Sequence, residues 1–569
     1  MITANDHRTE RLFDPWEYLG PKRRKLLDSS WSGVFRKYLL EKLPVEKVAK
    51  HFNEGMGRPS KELYTVVGSL ILQQLRDLSD PEMIRAVAFN IDWHYTLDIT
   101  DESDDGKYIS ERTLRTYRKI LIKEGLDTVL FETLTDTLIK VFDVDTSKQR
   151  LDSTHILSNM RKLGRVRIFV TTIRKFLKKL KRTHTELFAA LSESEFTDSY
   201  LSKKSDGCFS RVKPSETGKK LQELAEDLLY LIELYRSHEK VRELSEYRLL
   251  GRVLREQCRI TGSGTDAKVE IKPPKEVPSD SLQNPSDPGA GYDGYKKQGY
   301  QAQIMETYQT EKQDEKKPNL ITHVEVEPAH EPDANALQPA IDTTKERECC
   351  PEHLTCDTLY GSDDNVREAA AKGVEVVAPL KGHAPANEIS LVDFEFDEKT
   401  NFVTRCPKGK KPDNVCRTRT NKIRARLNRK TCSACPNLKN CPVKLGKKTA
   451  FLRYNDKTLR LAQRRVYEQT KEFKDRYRWR AGIEGTNSHL KSDVGADRLR
   501  VRGMASVRFT VSLKALGLNI LRCGKALQAG LRPYFRHMYV LKNTTVTLLN
   551  KLYAIFHILL SKNRVIYEF

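Results

Sequence analysis

Long uncharged apolar runs are missing from this chain of 569 residues. Nowhere does it reach the ~18 such residues that a membrane-crossing helix needs. The most apolar part of the C-terminal end, 544–560, is interrupted by Asn550 and Lys551. The segment after Met1, MITANDHRTE, has no apolar centre, so no export signal is expected there. A disulfide frame is not expected either. The eleven cysteines are odd in number, and five of them crowd between 406 and 441, which points to free thiols and a metal. Acidic residues are in short supply: 77 stand against 100 lysines and arginines, leaving a formal net charge of +23. With a pI near 9.4, that balance implies a polyanionic partner, although ribosomal and membrane-surface proteins share it. The apolar share of 38% is enough for packed interiors, and the length suits roughly three to four domains.

The shortage of acids is local as well as global. Between Arg161 and Arg182 there are ten lysines and arginines and no acid, with apolar residues at helical spacing. This reads as an amphipathic basic helix suited to contacting a nucleic-acid backbone, with salt-dependent strength. Calmodulin-like or membrane-surface binding would use the same pattern. Upstream, Leu63, Val66, Val67, Leu70, Ile71 and Leu75 recur at helical spacing after a loop at Gly57-Arg58-Pro59. Ser79 with Glu82 three residues on is a capping box that starts a second helix. A third helix after Ser110 carries Arg112, Arg115, Arg118 and Lys119. These three helices fit a helix-turn-helix reader of DNA or a plain helical core. Residues 215–259 read as a long helical segment with a leucine stripe from Leu221 to Leu234, and 261–291 as a linker.

Strand patterns appear at 148–156, 299–309, 319–330, 353–357 and 374–381, with helices between the later ones. Asp152 is expected at the end of the first, and Asp357 at the end of the fourth. Asp333 reads as the cap of the helix DANALQPAIDTT, and Asp363 and Asp364 as residues of a helix cap. Between 408 and 448, fourteen basic residues face the single acid Asp413. Cys432 and Cys435 form a CxxC pair, with Cys441 after it and Cys406 and Cys416 before it. Thiolate ligands at such spacing suit a structural Zn²⁺. The expected set is Cys406, Cys432, Cys435 and Cys441, with Cys416 as a substitute, because so short a segment buries little core. Free buried cysteines are the other reading.

The stretch YRWRAGIEGTNSHLK, 477–491, has Glu484 as its only acid and reads as helix. At ~100° per residue, Tyr477, Arg480, Glu484 and Lys491 fall within an arc of about 60°. One face then joins a carboxylate to two cations and a phenol, a grouping that suits an acid-held metal beside a phosphate. The alternative is a solvated charged face.

The spacing of Tyr477, Arg480, Glu484 and Lys491 resembles the Tyr-Arg-Glu-Lys signature of bacterial insertion-sequence DDE transposases. The LDSTHI segment at 151–156 and the Asp357-Thr-Leu-Tyr-Gly turn are similar to that family's first and second acid regions, and 55–122 to its helical N-terminal domain. The resemblance implies an RNase H-like α/β fold, a mixed sheet with helices on both faces, preceded by an α-helical domain and interrupted by a helical and a Cys-rich insertion. It implies Asp152, Asp357 and Glu484 as catalytic ligands of Mg²⁺ or Mn²⁺. Tyr477, Arg480 and Lys491 would be DNA-binding residues. The partner would be double-stranded DNA, at element ends and target, with no membrane, and with a homo-oligomer assembled on the DNA in the bacterial cytoplasm at the nucleoid. The implied activity is DNA cleavage and strand transfer. A non-catalytic DNA-binding protein and a nuclease that cuts without joining are the alternatives.

The expected divisions are a helical N-terminal DNA-binding domain (1–125), a first catalytic part (126–156), a basic helical insertion and linker (157–290), and a second catalytic part (291–384). A Cys-rich basic insertion (385–450), the final catalytic helices (451–525) and a tail (526–569) complete the chain.

Overall fold

In the computed structural model the segment KQRLDSTHI is a strand, β1, Lys148–Ile156. The structure describes residues 2–531 apart from 8, 10–11, 56–58, 193–194, 202–211, 263–267, 312–315 and 383–388. The loop expected at Gly57-Arg58 and the tail from 532 onward lie outside the described residues. β1 lies inside a mixed sheet with both faces covered, which is why it shows no polar–apolar alternation. Five further strands complete the sheet: β2 (Gly291–Asp293), β3 (Lys297–Thr307), β4 (Ile321–Pro328), β5 (His353–Cys356) and β6 (Glu375–Val377). Their order is β2-β3-β1-β5-β6, with β4 also pairing β3. β1 runs antiparallel to β3, with Arg150 opposite Glu306 and Asp152 opposite Ile304. It runs parallel to β5, and β5 parallel to β6.

The alternation of strand side chains assigns each face its cover. Leu151, Met305, Leu354 and Cys356 pack beneath helices α8 (Leu337–Glu346) and α9 (Asp363–Ala371). Ile156, Ala302 and Ile304 belong to the opposite core, where α13 (Met504–Gln528) lies against β4 and the N-terminal helices. Those helices include α1 (Leu63–Leu75), α2 (Asp80–Phe89), α3 (Glu111–Lys123) and α4 (Leu126–Phe142). The capping box at Ser79 and Glu82 forms as expected. On α3, Leu114, Tyr117 and Leu121 are buried while Arg112, Arg115 and Lys119 are exposed. α13 is the one helix, among the described residues, long and apolar enough to cross a membrane, and 72% of its apolar window is buried within the protein. Burial of Leu513, Leu516 and Ile520 is worth roughly 1.5–3 kcal/mol for each side chain. Asn519 on α13 exchanges hydrogen bonds with the backbone N–H and C=O of Ile321, both 2.8 Å, so the outer strand β4 does not end in unpaired groups.

Two further units interrupt this body. Between β1 and β2, the basic stretch forms α5 (Arg165–Thr183), whose Phe169, Ile173, Phe176 and Leu177 pack on α6 (Thr217–Leu234) and α7 (Ser245–Gln257). The segment read as helical over 215–259 is two main helices around a turn. After β6, a four-stranded sheet in the order β7-β8-β10-β9 is built from Asn414–Arg417, Ile423–Leu427, Ala450–Tyr454 and Lys444–Leu445 respectively. It encloses its own core of Phe394, Val403, Ile423, Ala425, Leu427, Val443, Leu452 and Tyr454. The chain returns through α10 (Asp456–Tyr467) and α11 (Lys471–Tyr477) to α12 (Gly482–Ser492).

The turn after α12 is tied to the N-terminal helices. The carboxylate of Asp77, just past α1, accepts hydrogen bonds from the buried Lys514 Nζ at 2.8 Å and from Arg500 Nη1 at 2.6 Å. Burial alone would raise the Asp77 carboxyl, but these two donors outweigh it and hold it below the ordinary aspartate range. Gly495 (φ +68°) sits against this carboxylate, and a Cβ there would lie 2.5 Å from Asp77 Cγ. Gly495→Ala is therefore expected to lower the thermal midpoint, losing about 1–2 kcal/mol to the left-handed backbone alone. A midpoint unchanged from that of the natural protein would contradict this account.

Candidate active site

The period of two along β1 places Arg150 and Asp152 on the same face, under α12. Arg150 is held by its cross-strand neighbour Glu306, whose side chain is 0% exposed. Glu306 Oε1 accepts Arg150 Nε at 2.7 Å and Nη2 at 2.6 Å. Its Oε2 accepts Thr486 Oγ1 at 2.6 Å and Arg522 Nη1 at 2.9 Å. Arg150 Nη1 also donates to the carbonyl of Trp479 at 2.8 Å, and a Cβ at Gly482 would overlap its guanidinium. The sheet therefore grips α12 and the turn before it through one buried, fully hydrogen-bonded ion network.

That turn overturns one expectation. The stretch 477–491 is not a single helix: α11 ends at Tyr477, a 3-10 turn covers Arg478–Ala481, and α12 begins at Gly482. The tighter turn rotates Tyr477 and Arg480 relative to an ideal α-helical arc. A second difference concerns Asp152, which occupies the middle of β1 instead of its end. Asp357, as expected, directly follows β5, and its Oδ1 accepts the N–H of Thr358 at 2.6 Å. Glu484 lies in the first turn of α12, with its side chain 66% exposed.

Arg480 bridges two of the three acids, and the charge of the third, Asp357, acts on it as well. Its Nη1 donates to Glu484 Oε1 at 2.7 Å, and its Nη2 to Asp152 Oδ2 at 3.1 Å. Asn487 Nδ2 lies 3.4 Å from the same Asp152 oxygen. Burial would depress the Arg480 guanidinium, but the charges of Asp152, Asp357, Tyr477 and Glu484 outweigh it and raise it. Burial pushes the Asp152 carboxyl up; Arg480 opposes this, while Asp357 and Asp333 add to it. Tyr477 stacks on Phe473 with centroids 5.6 Å apart, and its phenol is raised by burial and then by Asp357. Lys491 lies farther along, beside His155, whose ring is depressed by burial and then by Lys491, Lys296 and Lys162. Tyr477, Arg480 and Glu484 therefore gather with the aspartates, whereas Lys491 flanks the far end of β1.

In donor chemistry, the three carboxylates suit a hard divalent cation. In spacing they do not yet form a cage: among the described residues, no three His, Cys, Asp or Glu side chains are close enough together to hold an ion. The guanidinium of Arg480 stands between two of the three acids.

The same holds for Cys406, Cys432, Cys435 and Cys441, expected as a zinc set: among the described residues they form no group close enough to hold an ion. Cys406, Cys432 and Cys441 pack against the small sheet's core, and Cys416 is exposed on β7. Burial, and then the thiols of Cys406, Cys441 and Cys435, push the Cys432 thiol up. The four-stranded sheet does supply an apolar core that so short a segment was expected to lack.

Asp333 also differs from expectation. It caps no helix; its carboxylate accepts Gln303 Nε2 at 3.2 Å and faces Lys296 Nζ at 3.5 Å. Arg150 could have been found by its period-two spacing from Asp152. Glu306, Thr486 and Arg522 carry no such signal, because strand pairing and helix packing bring them together.

Residues 405–523 match a family model described as transposase DDE domain. Residues 30–119 match a second, described as transposase domain (DUF772). Together the two matches support a DDE transposase. The matched DDE domain supports DNA transposase activity. No curated protein matches it. A solved structure titled as a piggyBac transposase synaptic complex with hairpin DNA is similar over 93% of this chain and 82% of that one, at 9% identity and a TM-score of 0.27.

Two predictions follow from this geometry. Glu306→Gln leaves Arg150 and Arg522 buried without a countercharge, so it should destabilise the protein by about 3–5 kcal/mol. A thermal melt checks this, and an unshifted midpoint would contradict it. Asp152 behaves oppositely, because its folded-state carboxyl titrates above the ordinary range. The stability it contributes is present below that range and is lost as pH rises through the raised value. Asp152→Asn should thus raise the melting temperature at pH 7, with the advantage shrinking in acid. An advantage that grew as the pH fell would have the wrong sign.

Proposed function

We propose that this DDE transposase is that of a bacterial insertion sequence, binding the element's double-stranded DNA ends and catalysing cleavage and strand transfer. The observation that carries the reading is that Arg480 bridges Asp152 on a strand and Glu484 on a helix, while the charge of Asp357, just past a strand end, acts on the same guanidinium. The strand order, with β1 antiparallel to β3 and parallel to β5, supports an RNase H-like sheet beneath them. Asp152, Asp357 and Glu484 would hold Mg²⁺ or Mn²⁺. When bound, a pair of such ions supplies activation of the attacking oxygen and stabilisation of the leaving one. The chain's own residues bind and orient. Tyr477 and Arg480 lie beside the acids, where a scissile phosphate would be gripped, and Lys491 with Lys162 and Lys296 extends the positive track past His155. The exposed bases of α3, α5 and the small sheet offer further phosphate contacts, which position DNA without reading its sequence. Assembly of two ends implies a homo-oligomer on the DNA, in the cytoplasm at the nucleoid.

Incubation with Mg²⁺ and DNA carrying candidate element ends tests this. Cleavage with joining is expected. Binding alone would favour a regulator, and cutting alone a nuclease. Asp152→Asn, Asp357→Asn and Glu484→Gln should each lower cleavage by roughly 10⁴-fold while sparing DNA binding. Full-rate nicking by any one of them would remove that acid from the site.

A further inference from the structure

Arg480 holds two acids that a divalent ion would also need. One nitrogen of its fork takes Glu484 Oε1 and another takes Asp152 Oδ2. Asp152 is only 14% exposed and Arg480 21%, so water compensates little of either charge. Whatever removes the guanidinium must bring positive charge of its own.

Two polar atoms left over at this spot indicate what the exchange would bring. Among the described residues, Arg480 Nε is buried without a hydrogen-bond partner, and so is Asn487 Oδ1. Arg480 thus meets the acids with its two terminal nitrogens while the third donor of its fork is unused. A phosphate could take Nε and Nη side by side, the bidentate geometry for which the guanidinium is suited. Asn487 donates its amide to Asp152, which leaves its carbonyl oxygen buried and unpaired, a hard donor of the kind a divalent cation accepts. One orphan asks for an anion and the other for a cation. Both sit on the turn and first helical coils that carry Glu484.

We propose that Arg480 is a resident counter-cation which a divalent ion displaces from Asp152 and Glu484, and that the displaced guanidinium then binds a DNA phosphate. The inference rests on the reading that those acids hold the ion. Its consequence is reciprocal linkage: DNA that draws Arg480 outward opens the acids to metal, and metal that expels Arg480 prepares it for DNA. Before DNA arrives the carboxylates stay neutralised and together, so the site is closed to stray ions without collapsing by like-charge repulsion.

The test follows Mn²⁺ binding to the full chain by the electron paramagnetic resonance of free Mn²⁺, with and without a random-sequence duplex. Without DNA, Arg480→Ala should bind Mn²⁺ about tenfold more tightly than the natural protein. Arg480→Lys, whose ammonium cannot bridge two carboxylates as a planar fork does, should fall between them and guards against misfolding of the alanine variant. Added duplex should tighten Mn²⁺ binding to the natural protein and leave Arg480→Ala unaffected. Equal or weaker Mn²⁺ binding by Arg480→Ala and Arg480→Lys, with Asp152→Asn still abolishing it, would overturn the displacement while leaving the acid site standing. Mn²⁺ binding that survives Asp152→Asn unchanged would overturn the acid site itself, and the displacement with it.

Discussion

A single buried carboxylate, Glu306, holds the sheet and the helix of the candidate site in one frame. Both of its oxygens accept two hydrogen bonds, from Arg150, Arg522 and Thr486, so the charges taken out of water keep full partners. A less completely bonded arrangement would cost several kcal/mol per ion after relaxation. Because Arg150 also takes the carbonyl of Trp479, the network fixes the turn from which Arg480 projects, and the first coil of α12 where Glu484 stands. Asp152 lies two residues along the same strand. The distance between the first and last acids is thus set by this network together with the Arg480 fork that bridges them.

The surrounding layers extend that rigidity. α13 is the buried axis on which the N-terminal helices, β4 and α12 converge, and Asp77 with Lys514 closes the loop beyond α12 onto the N-terminal layer. Charge is placed differently outside this frame. The bases of α5 line the wet side of a helix whose apolar stripe packs on α6 and α7. The small sheet after β6 has a dry core of its own and a basic exterior. In both units the core is apolar; some bases tie the unit together, as Arg165 does to Gln257 and Arg417 to Asp456, and the exposed remainder faces outward, where a polyanion would meet it.

Much of the local structure is legible without coordinates. The capping box at Ser79, the stripe from Leu63 to Leu75, the amphipathic basic helix after Gly164 and the strand before Asp357 all lie where spacing puts them, because each depends on neighbours a few residues away. Two local readings, and the expectation of a coreless insertion, fail for one shared reason. The helix expected through 477–491 is broken by a 3-10 turn that Arg150 reaches into from the sheet. Asp333, plausible as a cap, faces Gln303 and Lys296 instead. The segment around the cysteines, expected to bury little, closes a small sheet over an apolar core. In each case a partner remote in sequence overrides the local preference.

The amino-acid order by itself determines which segments are helix or strand, where acids are absent, and which few acids stand out against so basic a background. Those properties arise from backbone propensity, period and composition, all short in range. Only the tertiary structure decides that Asp152 and Arg480, 328 residues apart, form an ion pair, and that the pair also includes Glu484. Strand register and the buried Glu306 network decide it, since electrostatic attraction acts on distance in space and is indifferent to distance along the chain.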